Sequence, residues 1–174
     1  MDIELNDKNY TIPDNINDIP VSMFHKIIEL EGKHDKNTTT FLIEAFCILA
    51  EMNYEFVLEF VSIDSLSGVV EFLNEFFTQK LSERPKAHLE IAGEKYYLGN
   101  NDDLLTGEYI DLEAFINDGL YKNISKIAAL LYKKEGERYE IKSFRDKAEL
   151  FDKELSIGDL YGSLLFFYHG KNKK

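Results

Sequence analysis

Residues 104–132 read LLTGEYIDLEAFINDGLYKNISKIAALLY, the stretch with the clearest start, stop and restart signals in the chain. Thr106 is placed to cap a helix, and Glu108 falls in the first turn, where a carboxylate meets the positive helix end. Tyr109, Leu112, Phe115 and Ile116 recur at helical spacing and define one apolar face. Asn117-Asp118-Gly119 stops the helix, because glycine tolerates the left-handed conformation that closes one. Asn123 is placed to cap a second helix, in which Ile124, Ile127, Ala128 and Leu131 line one side. Lys133 and Lys134 bring positive charge to its negative end. The spacing predicts a helix hairpin with an apolar inner face.

Short alternating segments precede each half. Ile3-Glu4-Leu5 and Tyr10-Thr11-Ile12 form a half-buried hairpin if a turn at Asp7-Lys8 pairs Leu5 with Tyr10 and Ile3 with Ile12. Residues 89–98, LEIAGEKYYL, repeat the arrangement: a turn at Gly93-Glu94 pairs Ile91 with Tyr96 and Leu89 with Leu98, an offset of 86 residues from Tyr10 to Tyr96. The correspondence continues at a shift of 85, from Asp18–Phe24 to Asp103–Tyr109. Ser22 would cap a helix carrying Phe24, Ile27, Ile28 and Leu30, ended by Gly32. Asn37, or one of Thr38 to Thr40, opens a second with Phe41, Leu42, Ala45, Phe46 and Leu49, whose counterpart begins at Asn123. In the third helix of each half, Ser62-Ile63-Asp64-Ser65-Leu66 precedes Val69, Val70, Leu73, Phe76 and Phe77, and Ser156-Ile157-Gly158-Asp159-Leu160 precedes Tyr161, Leu164, Leu165 and Tyr168. That shift is 94, which leaves extra residues around 139–153, where Tyr139-Glu140-Ile141-Lys142 reads as one short strand. Each copy runs hairpin, helix, helix, helix in the same order, the pattern an internal duplication leaves. Identity between the copies is low, and short alternating patterns also arise by chance.

The polar, proline-broken Ser82-Glu83-Arg84-Pro85-Lys86 marks the junction, so residues 1–82 and 86–174 are the expected repeats of one compact unit. A lone hairpin is marginal. The economical arrangement joins both hairpins in one small antiparallel sheet with helices on one face, a mainly helical α+β protein.

The chain has 174 residues, 44% of them hydrophobic, enough for an ordinary core. Its formal charge of −12 argues against gripping nucleic acid through phosphates and suits a basic partner. The acids are spread without a long run, which speaks against an acidic mimic of DNA. MDIELNDKNYTI lacks a basic region followed by an apolar one, so no signal peptide is expected. No apolar segment approaches the roughly 20 residues that span a bilayer. Cys47 is the only cysteine, which rules out an internal disulfide.

Candidates for chemistry are weak, and no catalytic residue, metal ligand or cofactor is assigned. His25, His34, His88 and His169 show no helical i, i+4 pair. Cys47, among Phe46, Ile48 and Leu49 and flanked by Glu44 and Glu51, reads as a small buried filler. Gly99-Asn100-Asn101-Asp102-Asp103 gathers oxygen ligands but lacks the alternating spacing and closing glutamate of a calcium loop, so it reads as a turn. Carboxylate pairs such as Glu29/Glu31 and Glu108/Asp111/Glu113 are expected among 32 acidic residues. No phosphate-binding glycine motif is present. Gly68 and Gly162 fall inside the third helices, where glycine permits close helix packing.

Two stretches place aromatics on more than one side of a helix: Phe72-Leu73-Asn74-Glu75-Phe76-Phe77 and Leu164-Leu165-Phe166-Phe167-Tyr168. Such a helix is sandwiched in the core or keeps a face for a partner, and a chain this short does not easily bury both. Phe72, Phe76, Phe166, Phe167 and Tyr168 are the partner-binding candidates. Leu160, Tyr161, Leu164, Leu165 and Tyr168 make the expected inner stripe of the last helix, with Phe166 and Phe167 projecting away from it.

The tract TGEYIDLE (106–113), with Asn123, Lys126, Ile127, Ala129, Leu131 and Tyr132, resembles small proteins encoded among the tail genes of tailed bacteriophages, tail assembly chaperones and structural proteins among them. The resemblance covers the C-terminal half. Leu160 to Tyr168 fits the apolar, aromatic helix that follows in that family, whereas Lys133-Lys134 stands where related sequences often carry an arginine-proline pair. It implies a non-catalytic protein of the virion or the host cytoplasm that binds other tail or virion proteins or further copies of itself; the charge and the lack of a spanning segment add the expectation of no nucleic acid or membrane partner. The composition alone also fits a small acidic cytoplasmic immunity or adaptor protein that caps a basic toxin or enzyme.

Overall fold

The computed structural model describes residues 2–5, 8–35, 38–100 and 103–171. The chain divides into two compact units. The first comprises residues 1–19 and 23–80, and the second residues 20–22 and 81–174. The fold is α+β and mainly helical, with small antiparallel sheets.

In the first unit β1 (Asp2–Leu5) pairs antiparallel with β2 (Lys8–Thr11), and a 3-10 turn follows at Ile16–Asp18. α1 (Val21–Glu31) starts within the three residues that group with the second unit. Ser22 lies inside it rather than at its cap, and Gly32 follows its end. α2 (Thr39–Leu49) is capped by Thr38, whose Oγ accepts from Phe41 N at 3.2 Å; Asn37, the other candidate cap, lies outside the described residues. α2 is apolar almost all round, which suits a helix with core on several sides, and Phe41, Ala45, Phe46 and Leu49 are fully buried. α3 (Tyr54–Phe60) is capped by Asn53 and was not expected from the pattern. α4 (Ile63–Thr78) buries Leu73 and Phe76.

In the second unit β3 (His88–Ile91) pairs with β4 (Glu94–Leu98). α5 (Thr106–Gly119) and α6 (Ile124–Leu131) make the expected helix hairpin. The chain then adds β5 (Tyr132–Lys133), α7 (Ile141–Glu154) and α8 (Ile157–Lys171). α6 is the centre of this unit: every residue from Ile124 to Leu131 except Lys126 is buried. α5 is its cover, with Leu112 its buried apolar residue, Phe115 and Ile116 half-buried and Tyr109 exposed, so the expected apolar face is narrower than its spacing suggests. Thr106 is the first helical residue rather than the cap. The Glu108 carboxylate instead accepts from Leu105 N at 2.8 Å, satisfying one of the unpaired amides that open a helix. Asn123 works backwards: its amide donates to Phe115 O, Gly119 O and Asp118 Oδ2 at 3.0–3.2 Å, closing α5 instead of opening α6. Lys122 and Asn123 together hold the Asp118 carboxyl below its usual range, the asparagine bond first.

Three further expectations are corrected. Both hairpins sit two residues out of the expected register, with Ile3 opposite Tyr10 and Leu89 opposite Tyr96. In the second, the turn falls at Ala92-Gly93, both at positive φ, which is the backbone twist a two-residue hairpin favours. In the first, the turn residues 6–7 lie outside the described residues. A slip of two leaves every side chain on its original face. The hairpins also belong to separate sheets, and the second is extended by β5, which pairs with β4 through Tyr97–Lys133 and Leu98–Tyr132. Residues 139–142 form no strand: Ile141 begins α7. Each unit therefore has a hairpin followed by four helices, with α3 and α7 the unexpected members, but only the second inserts a strand, β5, between its second and third helices.

Candidate functional site

The last helix opens with a reciprocal cap. Ser156 N and Oγ both donate to Asp159 Oδ2 at 2.9 Å, and Asp159 N donates back to Ser156 Oγ at 3.3 Å. Burial alone would raise the Asp159 carboxyl; its bonds to Lys86 and Ser156 outweigh that and hold it below its usual range. From this start α8 turns Leu160, Ser163, Leu164 and Phe167 inward, all buried. Ser163 belongs to this face because its Oγ hydrogen-bonds the Tyr132 hydroxyl, which donates to Lys86 O at 2.7 Å. Gly162 is needed on the same helix: a Cβ there would fall 2.8 Å from Pro85 N and closer still to the Arg84 carbonyl.

This phase differs from the expected one. Phe167 is 4% exposed and part of the core, so it is withdrawn as a binding residue. Tyr168, expected on the inner stripe, is 42% exposed, and Phe166 is 53% exposed, as expected. Tyr161, Leu165 and Tyr168 form an i, i+4, i+7 stripe on the outer side, and Phe166 flanks it. The half-buried Tyr161 ring stacks on the exposed Tyr121 ring, centroids 6.2 Å apart and 8° from parallel, which extends the aromatic surface onto the turn before α6. Burial and the Tyr121 hydroxyl push the Tyr161 phenol up to about 12. In the first unit Phe76 is 0% exposed and also leaves the candidate set. Phe72 is half-buried against it, ring centroids 5.5 Å apart. Binding candidates that remain on the surface are Phe166 and Tyr168, with Phe72 partly so.

Several charged groups of the second unit are tied into ion pairs. The Lys133 ammonium meets the Glu108 carboxylate at 2.7 Å, and Glu108 is 2% exposed. Lys147, buried on α7, donates to Tyr132 O at 3.0 Å and pairs with Glu137, while burial lowers its ammonium pKa. Lys147 and Glu137 line an open cleft of about 340 Å³ with Tyr96 and Lys134. Lys134 stands 5.1 Å above the Tyr96 ring and 3.3 Å from Glu94. Tyr139 donates to Asp111, and burial with that carboxylate pushes its phenol up to about 12. None of these lysines had been singled out for such a role in the sequence, where Lys133 and Lys134 looked like helix-end charges.

The remaining chemical candidates take structural places. Cys47 is buried, its thiol pushed up to about 11 by desolvation and then by Glu44. His34 Nε2 lies 3.4 Å from Glu44 Oε1. In the acidic turn Asn100 N donates to Asp103 Oδ2 at 3.3 Å, and Asn101 and Asp102 lie outside the described residues. Among the described residues no three of His, Cys, Asp and Glu are grouped so as to hold a metal ion, and no helix is long and apolar enough to cross a membrane. Comparison with protein-family models, with curated proteins and with solved structures finds no match for the chain.

Proposed function

We propose that this chain acts by binding other proteins, without catalysis, as a tail or virion component or a tail assembly chaperone of a tailed bacteriophage. The observation that carries the binding reading is the outer side of α8. One face of that helix closes the core of its unit, and the other holds Tyr161, Leu165 and Tyr168 with exposed Phe166 beside them. Aromatic side chains on an otherwise acidic protein supply the large apolar contacts that dominate interfaces. The TGEYIDLE tract and the N-x-x-K-I helix after it support the phage assignment by resemblance, and the place of action is then the virion or the host cytoplasm. The occupants are other tail or virion proteins, or another copy. The formal charge of −12 favours one second reading, an immunity or adaptor protein that caps a basic partner.

Replacing Phe166 and Tyr168 together with serine tests the binding reading. The double variant keeps the parental melting temperature, since neither ring is in the core, and loses self-association or tail-partner binding in light scattering or pull-down. A folded variant that associates normally refutes the assignment of this face. Mass spectrometry of purified particles distinguishes a permanent virion component, which is retained, from a chaperone, which is not.

A further inference from the structure

Charge is divided unevenly along the chain. Residues 1–80 hold 15 of its 32 acidic residues but only 5 of its 20 basic ones, so this half carries −10 of the formal −12. The acids are evenly spread, and it is the bases that are missing, which is why no acidic run marks the asymmetry.

The same half contains an apolar recess of about 310 Å³ between the 3-10 turn, α1, α2 and α4. Among its walls Ile28 and Phe77 are half-buried and Ile19, Ile27 and Phe41 buried, and its polar lining residues are Glu31, Asn74 and Thr78. Asn74 and Thr78 are exposed at the rim. Gln79 braces that rim: its Oε1 accepts from Ile16 N and its Nε2 donates to Asp14 O, both at 2.8 Å. A braced recess binds without first having to be ordered.

We infer that this recess receives a bulky apolar side chain from a cationic amphipathic segment of a partner protein. Its volume lies at the small end of ligand pockets, room for one or two large side chains. No lysine or arginine lines it, so it offers no counter-charge to an anion, and its walls present few groups for a polar small molecule. A half whose residues sum to a formal −10 draws in lysine- and arginine-rich segments, speeds their encounter, and disfavours acidic partners. The inference rests on the reading of the chain as a protein binder and deepens it. It uses a different unit from α8, so the two fail separately.

The test is fluorescence anisotropy with a fluorescein-labelled helical peptide of leucine and lysine, about 14 residues or four turns long, with one central phenylalanine. A matched peptide carries glutamate for lysine. The lysine peptide is expected to bind and the glutamate peptide not to. Thr78→Trp and Asn74→Trp, each at an exposed rim position, fill the mouth. Each should weaken binding tenfold or more while the melting temperature stays at the parental value. Raising salt from about 50 to about 300 mM should weaken binding several-fold without abolishing it, because only the charged part is screened. Unchanged binding by both rim variants would reduce the interaction to diffuse charge attraction and overturn the proposal. So would equal binding of the glutamate peptide, or none of the lysine peptide. Failure here with intact Phe166- and Tyr168-dependent association refutes the recess alone.

Discussion

Gly68 and Gly162 stand 94 residues apart, at matching places in α4 and α8, and the same substitution should move stability in opposite directions at the two. Alanine at 68 meets nothing within 4 Å. Its effect is the ordinary gain from replacing glycine inside a helix, about 0.5–1 kcal/mol. Alanine at 162 would set its methyl 2.8 Å from Pro85 N and nearer the Arg84 carbonyl, both backbone, where ordinary contact begins at 3.4 Å. Segment 84–85 must then retreat by more than about 0.6 Å, and overpacking of this kind costs about 1–3 kcal/mol. Offset by the helical gain, the net loss is on the order of 1 kcal/mol. For a chain of this length that lowers the melting temperature by about 2–4 °C, against a rise of about 1–4 °C for the exposed site. Thermal unfolding followed by circular dichroism, with urea titration as a check, reads both. A Gly162→Ala protein that melts at or above the parent would refute the close seating of residues 84–85 on α8, and a destabilised Gly68→Ala would refute the open environment there.

Two further outcomes are expected. Leu112→Ala and Ile127→Ala remove side chains that are 4% and 1% exposed, and each should lower unfolding free energy by about 2–5 kcal/mol, with Ile127 at the upper end because its neighbours on α6 are buried except Lys126; urea titration measures both, and a melting temperature within a degree of the parent would remove that residue from the core. Asp159 has its folded carboxyl below the unfolded 3.8, so its stabilising contribution is present above 3.8 and lost as pH falls through the folded value. The melting-temperature gap between the parent and Asp159→Asn should therefore be full near neutrality and shrink in acid, and a gap that holds constant down to pH 2–3 would show that the carboxylate charge contributes nothing.

Elements with a clean cap and period were legible. The stretch Asn37 to Thr40 brackets the start of α2, and the tract from Thr106 to Gly119 locates α5 to within a residue. Other elements lacked such marks. In α3 the apolar residues Phe56, Val57 and Leu58 are contiguous, so no period separates helix from strand, although Asn53, whose Oδ1 accepts from Glu55 N at 2.8 Å, was a usable sign. In α7 the buried set Phe144, Lys147, Ala148 and Phe151 includes a lysine, which hides the stripe because its ammonium is satisfied from elsewhere in the unit. β5 is two residues long, below any periodicity. The phase of α8 went wrong for a related reason. Ser163 looks like a solvent residue but is buried by its bond to Tyr132, and once it turns inward Phe167 must follow and Tyr168 must leave. The binding candidates split accordingly, Phe76 and Phe167 to the core and Phe166 and Tyr168 to the surface.

The three residues 20–22 group with the second unit: Val21 N donates to Leu155 O at 2.9 Å and Pro20 bridges Ser156. A ribosome adding about 5–20 residues per second completes Leu155 some 7–27 s after Val21. For that interval a piece of the later unit waits, unpaired, in the middle of the earlier one. Protease cleavage between residues 80 and 81 should then release no self-sufficient halves, since the second would lack three residues it uses and the first would keep them at the start of α1 without Leu155 and Ser156.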